Sequence, residues 1–355
     1  MPDEAEARIE RRGRAGFIVL DRPRALNALT LKMVRTISRA LDDFEQDAAV
    51  SRVVIIGAGE RAFCAGGDIR KLYELGRAGD HAAQLTFWRE EYILNQRIKR
   101  YPKPYVALID GVVMGGGVGV GMLGSHRVVS ERCVFAMPEV GIGFFPDVGA
   151  TWLLPRLPHR IGVFLAVTGL RADGGDLAAL GMATSFTPSG SFPALAQALE
   201  GESPLEAILT RFQAPPPPAP LMVEAAAIES AFARLDDLAA IRASLAILAE
   251  SGSPLATSAL AAMAVKSPTS QAIVLRQMRL GGDLDFEAAM AMEYRIVSRI
   301  CRGHDFYEGV RATIVDKDNR PHWRPGPGES PPAEDIDAYF APLGDDELTF
   351  AKTAP

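Results

Sequence analysis

The chain has 355 residues, 48% hydrophobic and 23% charged, enough to bury a substantial core as one large domain or two modest ones. Lys plus Arg number 38 against 44 Asp plus Glu, a net charge of −6, with no basic block and no interleaved aromatic platform, which argues against nucleic acid as a partner. The mild acidity leaves room for a small polyanionic ligand, because local Lys and Arg decide that binding.

Cys64, Cys133 and Cys301 are far apart and form no CxxC, so neither a disulfide framework nor a zinc ribbon is expected, and a reducing compartment is. With no HExxH and five scattered histidines, no metal site is expected either. The amino terminus, MPDEAEARIERR, opens acidic without an apolar core, and the longest apolar stretch, 111–124, is too short and glycine-rich to span a bilayer. A cytoplasmic location without membrane attachment is the expectation.

Residues 7–10 and 16–20 read as two short strands, the second stopped by Asp21-Arg22-Pro23. Thr30 is an N-cap candidate for a helix to about Asp47 that puts Met33, Ile37, Leu41 and Phe44 on one face. The β-branched run 52–56 predicts a strand that empties into GAGERAFCAGGDI, followed by a helix from Asp68, its expected cap, to about Leu75. Strand, glycine loop and helix in that order favour a ligand site. A helix over 81–100 carries Trp88, Glu90, Glu91 and Tyr92; on residue type alone Glu91 is a solvated surface acid.

The stretch 103–156 organises the rest. An apolar strand, 104–109, stops at Asp110-Gly111, the Gly115–Gly117 cluster opens a helix over 116–124, and strands near 126–130 and 133–136 follow. Glu139 in MPEVG and Asp147 in FPDVG then sit in loops bounded by glycine and proline. Glycine lets a substrate approach the backbone, and a helix starting there offers unpaired N–H groups, which suits a developing oxyanion. Two acids eight positions apart can move the protons that acyl chemistry requires. Taken singly, a loop acid more often caps a turn, and glycine's usual task is conformational. Gly119, Gly121 and Gly124 also satisfy GxGxxG, but inside the helix and without the acid of a dinucleotide fingerprint, so they read as close packing. No GxSxG elbow is present.

Short helices are expected over 160–168 and 176–180, and after Thr187 the composition loosens. Residues 213–220 form a proline-rich linker between a core, 1–212, and a helical region, 221–323, with helices over 221–251, 258–265, 271–280, 286–301 and 306–315. His304 and Asp305, the latter with Glu308 in a capping-box spacing, are expected to cap the last helix while Phe306 and Tyr307 dock it. A mostly irregular tail, 324–355, closes the chain. The C-terminal helices are where a homo-oligomer contact, a lid, or both would be built. From the residues alone the fold class is α/β with repeated units.

KPYVALIDGVVMGGGVGVG, followed by RVVSE, FAMPEVGIGFFPDVGATW and, near the end, SPTS, EYR and HDFYEGVRATIVDKD, resembles the 3-hydroxyisobutyryl-CoA hydrolase branch of the crotonase (enoyl-CoA hydratase/isomerase) superfamily, over about Ile18 to Trp323. Several spaced motifs in one order carry the resemblance. It implies a crotonase-type spiral of strand-strand-helix units with a helical C-terminal region, acting as an acyl-CoA thioester hydrolase on 3-hydroxyisobutyryl-CoA in valine breakdown. The backbone N–H groups of Gly67 and Gly116 would hold the thioester oxygen. Glu139 would activate water or attack the carbonyl to form an anhydride, two routes the sequence leaves open, and Asp147 would orient the substrate and pass a proton to the leaving thiolate. Glu91, the second acid of WREEY, would accept a hydrogen bond from the acyl hydroxyl.

Leu26 and Ala28 of ALNAL, with Ala65, Gly67, Asp68 and Ile69, are the implied coenzyme A contacts. No separate cofactor is implied, coenzyme A being part of the substrate. Arg61, Arg70, Lys71 and Lys317 stand as phosphate partners only by position and read more simply as surface cations. Gly119 replaces the glutamate that hydratases carry in GGGCELA, which argues against enoyl-CoA hydration. Hydration or isomerisation of an enoyl-CoA, and acyl-CoA binding without turnover, are the alternative functions.

Overall fold

The structure, a computed structural model, describes residues 6–350. In chain order its elements begin β1 (Ala7–Arg12), β2 (Ala15–Leu20), α1 (Leu31–Gln46), β3 (Arg52–Gly57), β4 (Ala62–Cys64), α2 (Ile69–Arg77), α3 (His81–Lys99), β5 (Tyr105–Ile109), β6 (Val112–Met114), α4 (Gly116–Gly121), β7 (His126–Val129) and β8 (Val134–Ala136). They continue α5 (Ala150–Leu153), α6 (Ile161–Thr168), β9 (Arg171–Asp173), α7 (Gly174–Ala179), β10 (Ser185–Phe186), α8 (Phe192–Leu199), α9 (Leu205–Phe212), α10 (Pro220–Val223), α11 (Ala225–Ala231), α12 (Leu238–Glu250), α13 (Pro254–Ala264), α14 (Pro268–Gly281), α15 (Phe286–Ile300), α16 (His304–Val310) and α17 (Ala333–Phe340). The chain divides into two compact units. One comprises Met1–Asp68, Ile93–Phe135 and Ala172–Met222, the other Ile69–Tyr92, Ala136–Arg171 and Val223–Pro355.

In the first unit six strands form a sheet in the order β1-β2-β3-β5-β7-β10. β1 and β2 make an antiparallel hairpin, Ala7 opposite Leu20 and Arg12 opposite Ala15, and the remaining pairs are parallel. The central strands β2 and β5 are buried along their whole length because they carry the continuous runs AGFIVL and YVALI, the pattern of a sheet covered on both faces. A second sheet runs β4-β6-β8-β9. In α1, Thr30 accepts from the Met33 amide, and Met33, Ile37, Leu41 and Phe44 are buried, as their spacing requires.

Three expectations for the helices are corrected. Residues after Thr187 form α8 and α9, whose Leu195, Leu199, Ile208 and Leu209 complete the core with Phe17, Val54, Val106 and Val128; flanking Gly and Pro hide two short apolar stripes. The expected single helix over 221–251 is three, α10 to α12, the last restarting where Asp237 accepts from the Ala240 amide. The tail contains α17, which follows Pro332 and buries Ile336 and Phe340.

Helix starts were also read late. Ser253 and Ser267 cap α13 and α14, with Pro254 and Pro268 in the first turn, where a missing N–H costs nothing. At α16 the capping role given to His304 and Asp305 does not hold. The N-cap position is Gly303 with no side-chain cap, while Asp305 accepts from Ser267 Oγ at 2.6 Å and the Arg324 amide at 2.8 Å. Glu308 pairs with Arg311 instead of returning to the helix start.

Candidate active site

The glycine loops lie in the first unit. Leu26 and Asn27 take left-handed backbone angles, and the buried Asn27 side chain donates to the Ala58 and Ala62 carbonyls, both at 2.9 Å, while accepting from the Arg22 amide. This ties ALNAL to the strand ends. The Ala65 amide donates to Leu26 O, Leu29 to Gly66 O and Asp68 to Leu29 O, so that CAGGD runs alongside as one bridged pair, Leu29 with Gly67. In such a bridge the flanking groups bond inward, and the Gly67 amide faces the opposite edge.

That edge is where α4 begins. A Cβ on Gly66 would lie 3.7 Å from Met114 O and 4.0 Å from the Gly116 amide nitrogen, and a Cβ on Gly117 would run into the Cys64 carbonyl. At Gly117 only glycine permits so close an approach, and at Gly66 the φ of +120° is what calls for glycine. Gly116 is the first residue of α4, where helix amides lack intrahelical partners, and neither its amide nor that of Gly67 has a hydrogen-bond partner among the described residues. Gly121 sits against the Phe63 ring, a packing contact. Leu26, Ala28, Ala65 and Asp68 are all half-buried along the same laced pair of loops, and Asp68 is held by Arg22 at 3.0 Å. Ile69 opens α2. Arg61, Arg70, Lys71 and Lys317 are exposed.

The acids lie in the second unit, each set against its own neighbours. Beyond β8 the chain makes a short 3-10 turn, Glu139–Ile142, then GFFPDVG, then α5. Phe144 anchors the middle of this loop by stacking on Trp88 at 5.5 Å and tilting against Phe306 at 5.6 Å. Glu139 and Asp147, at its two ends, are 7% and 4% exposed, and Glu91 is 2% exposed. The solvated reading of Glu91 is thereby corrected. Tyr92, next to it on α3, donates its hydroxyl to Asp147 Oδ2 at 2.8 Å. Glu293 on α15, fully buried, accepts from the Gly149 and Thr151 amides, each at 2.9 Å.

Four carboxylates thus share one buried neighbourhood, and among the described residues none is paired with a cation. Glu91 Oε1 and Glu139 Oε2 are buried without any hydrogen-bond partner. Burial, then the nearby Asp147, pushes the Glu139 carboxyl well above the ordinary range. Glu91 is raised in the same sense by burial, Asp147 and Glu293. Burial raises Asp147 to about 7 against the lowering pull of the Tyr92 hydroxyl. Glu293 rises to about 8 through burial and Asp147, opposed by the amides of Gly149 and Thr151. Unpaired buried acids with displaced pKa values are costly for a fold and typical of proton-transfer sites.

The sequence motifs imply no role for Tyr92 or Glu293. The sequence does not mark Glu293 as inward-facing within EYR; in the structure Tyr294 packs edge-on to Tyr92 at 6.4 Å and Arg295 turns outward to Glu347. No group of three metal-ligating side chains occurs among the described residues, and no described helix is long and apolar enough to cross a membrane.

Residues 15–340 match the enoyl-CoA hydratase/isomerase family, and the chain belongs to it: it is a crotonase-fold acyl-CoA enzyme. Among curated relatives it is 42% identical to the Xenopus tropicalis protein named 3-hydroxyisobutyryl-CoA hydrolase, mitochondrial, and 41% identical to the Homo sapiens protein of that name. Each match covers 97% of this chain and 91% of the relative. Among solved structures, one described as a carnitinyl-CoA dehydratase from Mycobacterium thermoresistibile matches with a TM-score of 0.93 at 39% identity, covering 99% of this chain and 100% of that one. Another, described as an enoyl-CoA hydratase from Rhodobacter sphaeroides, matches with a TM-score of 0.91 at 44% identity, covering 98% and 100%.

Proposed function

We propose that the protein hydrolyses a short branched 3-hydroxyacyl-CoA thioester, 3-hydroxyisobutyryl-CoA, to 3-hydroxyisobutyrate and coenzyme A. The observation that carries this reading is the pair Glu139 and Asp147, buried at the two ends of one anchored loop with, among the described residues, no cation paired to either. The likeness to proteins named 3-hydroxyisobutyryl-CoA hydrolase supplies the substrate.

In this reading the Gly67 and Gly116 amides receive the thioester oxygen as it becomes negative. Glu139 takes a proton from water as the water oxygen bonds to the carbonyl carbon. As the C–S bond breaks, the protonated Asp147, held by Tyr92, gives its proton to the departing thiolate sulfur. A pKa near 7 suits that donor at neutral pH. Glu91 accepts from the acyl hydroxyl. The alternative route, in which Glu139 itself bonds to the carbonyl carbon and water then opens the anhydride, uses the same groups. Only that route leaves oxygen from labelled water in the Glu139 carboxylate.

A second reading is favoured by the two solved structures described as a dehydratase and a hydratase: addition of water to, or its removal from, the acyl chain. Gly119, where hydratases carry a glutamate, weighs against it. Purified protein offered 3-hydroxyisobutyryl-CoA with a thiol reagent, and crotonyl-CoA followed by its conjugated absorbance, separates the two. Thiol release from the first supports hydrolysis, and loss of absorbance without thiol release supports hydration.

A further inference from the structure

Catalysis as proposed gives no task to the fully buried Glu293 and Gln277. Both reach the same six residues, 146–151. Gln277 Nε2, on α14, donates to the Pro146 carbonyl at 2.6 Å and to Thr151 Oγ1 at 2.7 Å. Glu293, on α15, accepts from the Gly149 and Thr151 amides. Asp147 therefore lies inside a bracket, with one anchor just before it and the others two and four residues after.

The enclosed backbone is one the chain would not choose. Val148, 1% exposed, has φ +53°, and Gly149 has φ +92°. A β-branched residue in the left-handed region is disfavoured, and such a turn persists only where its surroundings over-determine it. Nor is Glu293 an economical cap for a helix of α5's length. A Ser or Asp at the N-cap position would serve α5 locally, but Gly149 stands there, and the acceptor arrives from 144 residues away. That acceptor is a carboxylate placed among three others, where its charge is least welcome.

We propose that Glu293 and Gln277 are positioning residues that hold the strained turn at Val148 and thereby fix the place from which Asp147 acts. What Asp147 does rests on the hydrolase reading; what the bracket holds does not.

The near-isosteric variants Glu293→Gln and Gln277→Met test this by two independent readouts. Without substrate, hydrogen exchange at the Gly149 and Thr151 amides is expected to quicken at least tenfold, as an order of magnitude for loss of a buried anchor, while α1 keeps its protection. On the thioester that the wild type turns over, kcat is expected to fall roughly 100-fold with KM within about threefold, the result of a displaced group with binding contacts kept. Should Glu293→Gln fail to fold, Gln277→Met carries both measurements. Val148→Gly removes the strain, so Gln277→Met should cost clearly less in that background, a coupling a double-mutant cycle reads. Unchanged exchange at the two amides, unchanged kcat, or strictly additive effects would each overturn the proposal. A wild type inactive on every thioester would overturn the hydrolase reading alone, leaving the exchange result to judge the bracket.

Discussion

Glu91 shows how a single side chain can conflict with its residue type. It is a glutamate on a helix, yet it is buried with one oxygen unpartnered, and its pKa is raised well above the ordinary carboxylate range. A carboxyl raised in the fold favours folding at low pH, and that contribution is lost as pH rises from its unfolded value near 4 through its folded one. Glu91→Gln should therefore match the wild type in stability near pH 4 and exceed it at pH 8, by about 1.4 kcal/mol per pH unit over which the folded acid keeps its proton. Denaturant titrations at the two pH values measure this, and a variant less stable than wild type at pH 8 contradicts it. Tyr92→Phe removes the hydroxyl that lowers Asp147. If Asp147 donates a proton, the basic limb of the kcat/KM profile should move to higher pH, with activity reduced about tenfold or more. A limb that stays in place would show that Asp147 does not set it. That Glu139 and Asp147 stand outside long helices and strands was legible at this scale because glycine and proline on either side break every periodicity. Glu293 was not, because a helix hides which of its polar residues face inward until its neighbours are known.

At the scale of elements, close approach governs. The end of β4 and the start of α4 meet only because Gly117 lacks a side chain, while Gly66 supplies a φ of +120° that other residues rarely adopt. Gly117→Ala would press a methyl against the Cys64 carbonyl, and we expect a loss of about 1–3 kcal/mol in stability, read as a lower denaturation midpoint. A variant as stable as wild type would show that this contact can relax. Strands and the amphipathic α1 were readable from runs and spacing. Helices that begin with Ser-Pro start before the apolar spacing becomes visible, and proline in their first turn is tolerated because its missing N–H has no partner there. α8 and α9 escaped notice because each offers only two buried apolar residues, and their burial depends on the sheet beneath.

Over the whole molecule, local pattern says little about how segments assemble. Each compact unit gathers three separate stretches of chain, and the proline-rich 213–220, read as a linker, falls inside the last stretch of the first unit. Polyproline marks an extended segment and carries no information about what it packs against: Gly175 abuts the Pro217 and Pro218 carbonyls. The glycine loops belong to one unit and the four acids to the other, so no local pattern groups them, and only the resemblance that their motifs carry together proposes them as a set. The central claim, that Glu139 drives thioester hydrolysis, is tested most directly by free coenzyme A released from 3-hydroxyisobutyryl-CoA by wild type and Glu139→Gln. The account predicts ready release by the wild type and a fall of roughly 100- to 10,000-fold in the variant with its fold intact. Equal release by the two proteins, or none by the wild type, would contradict it.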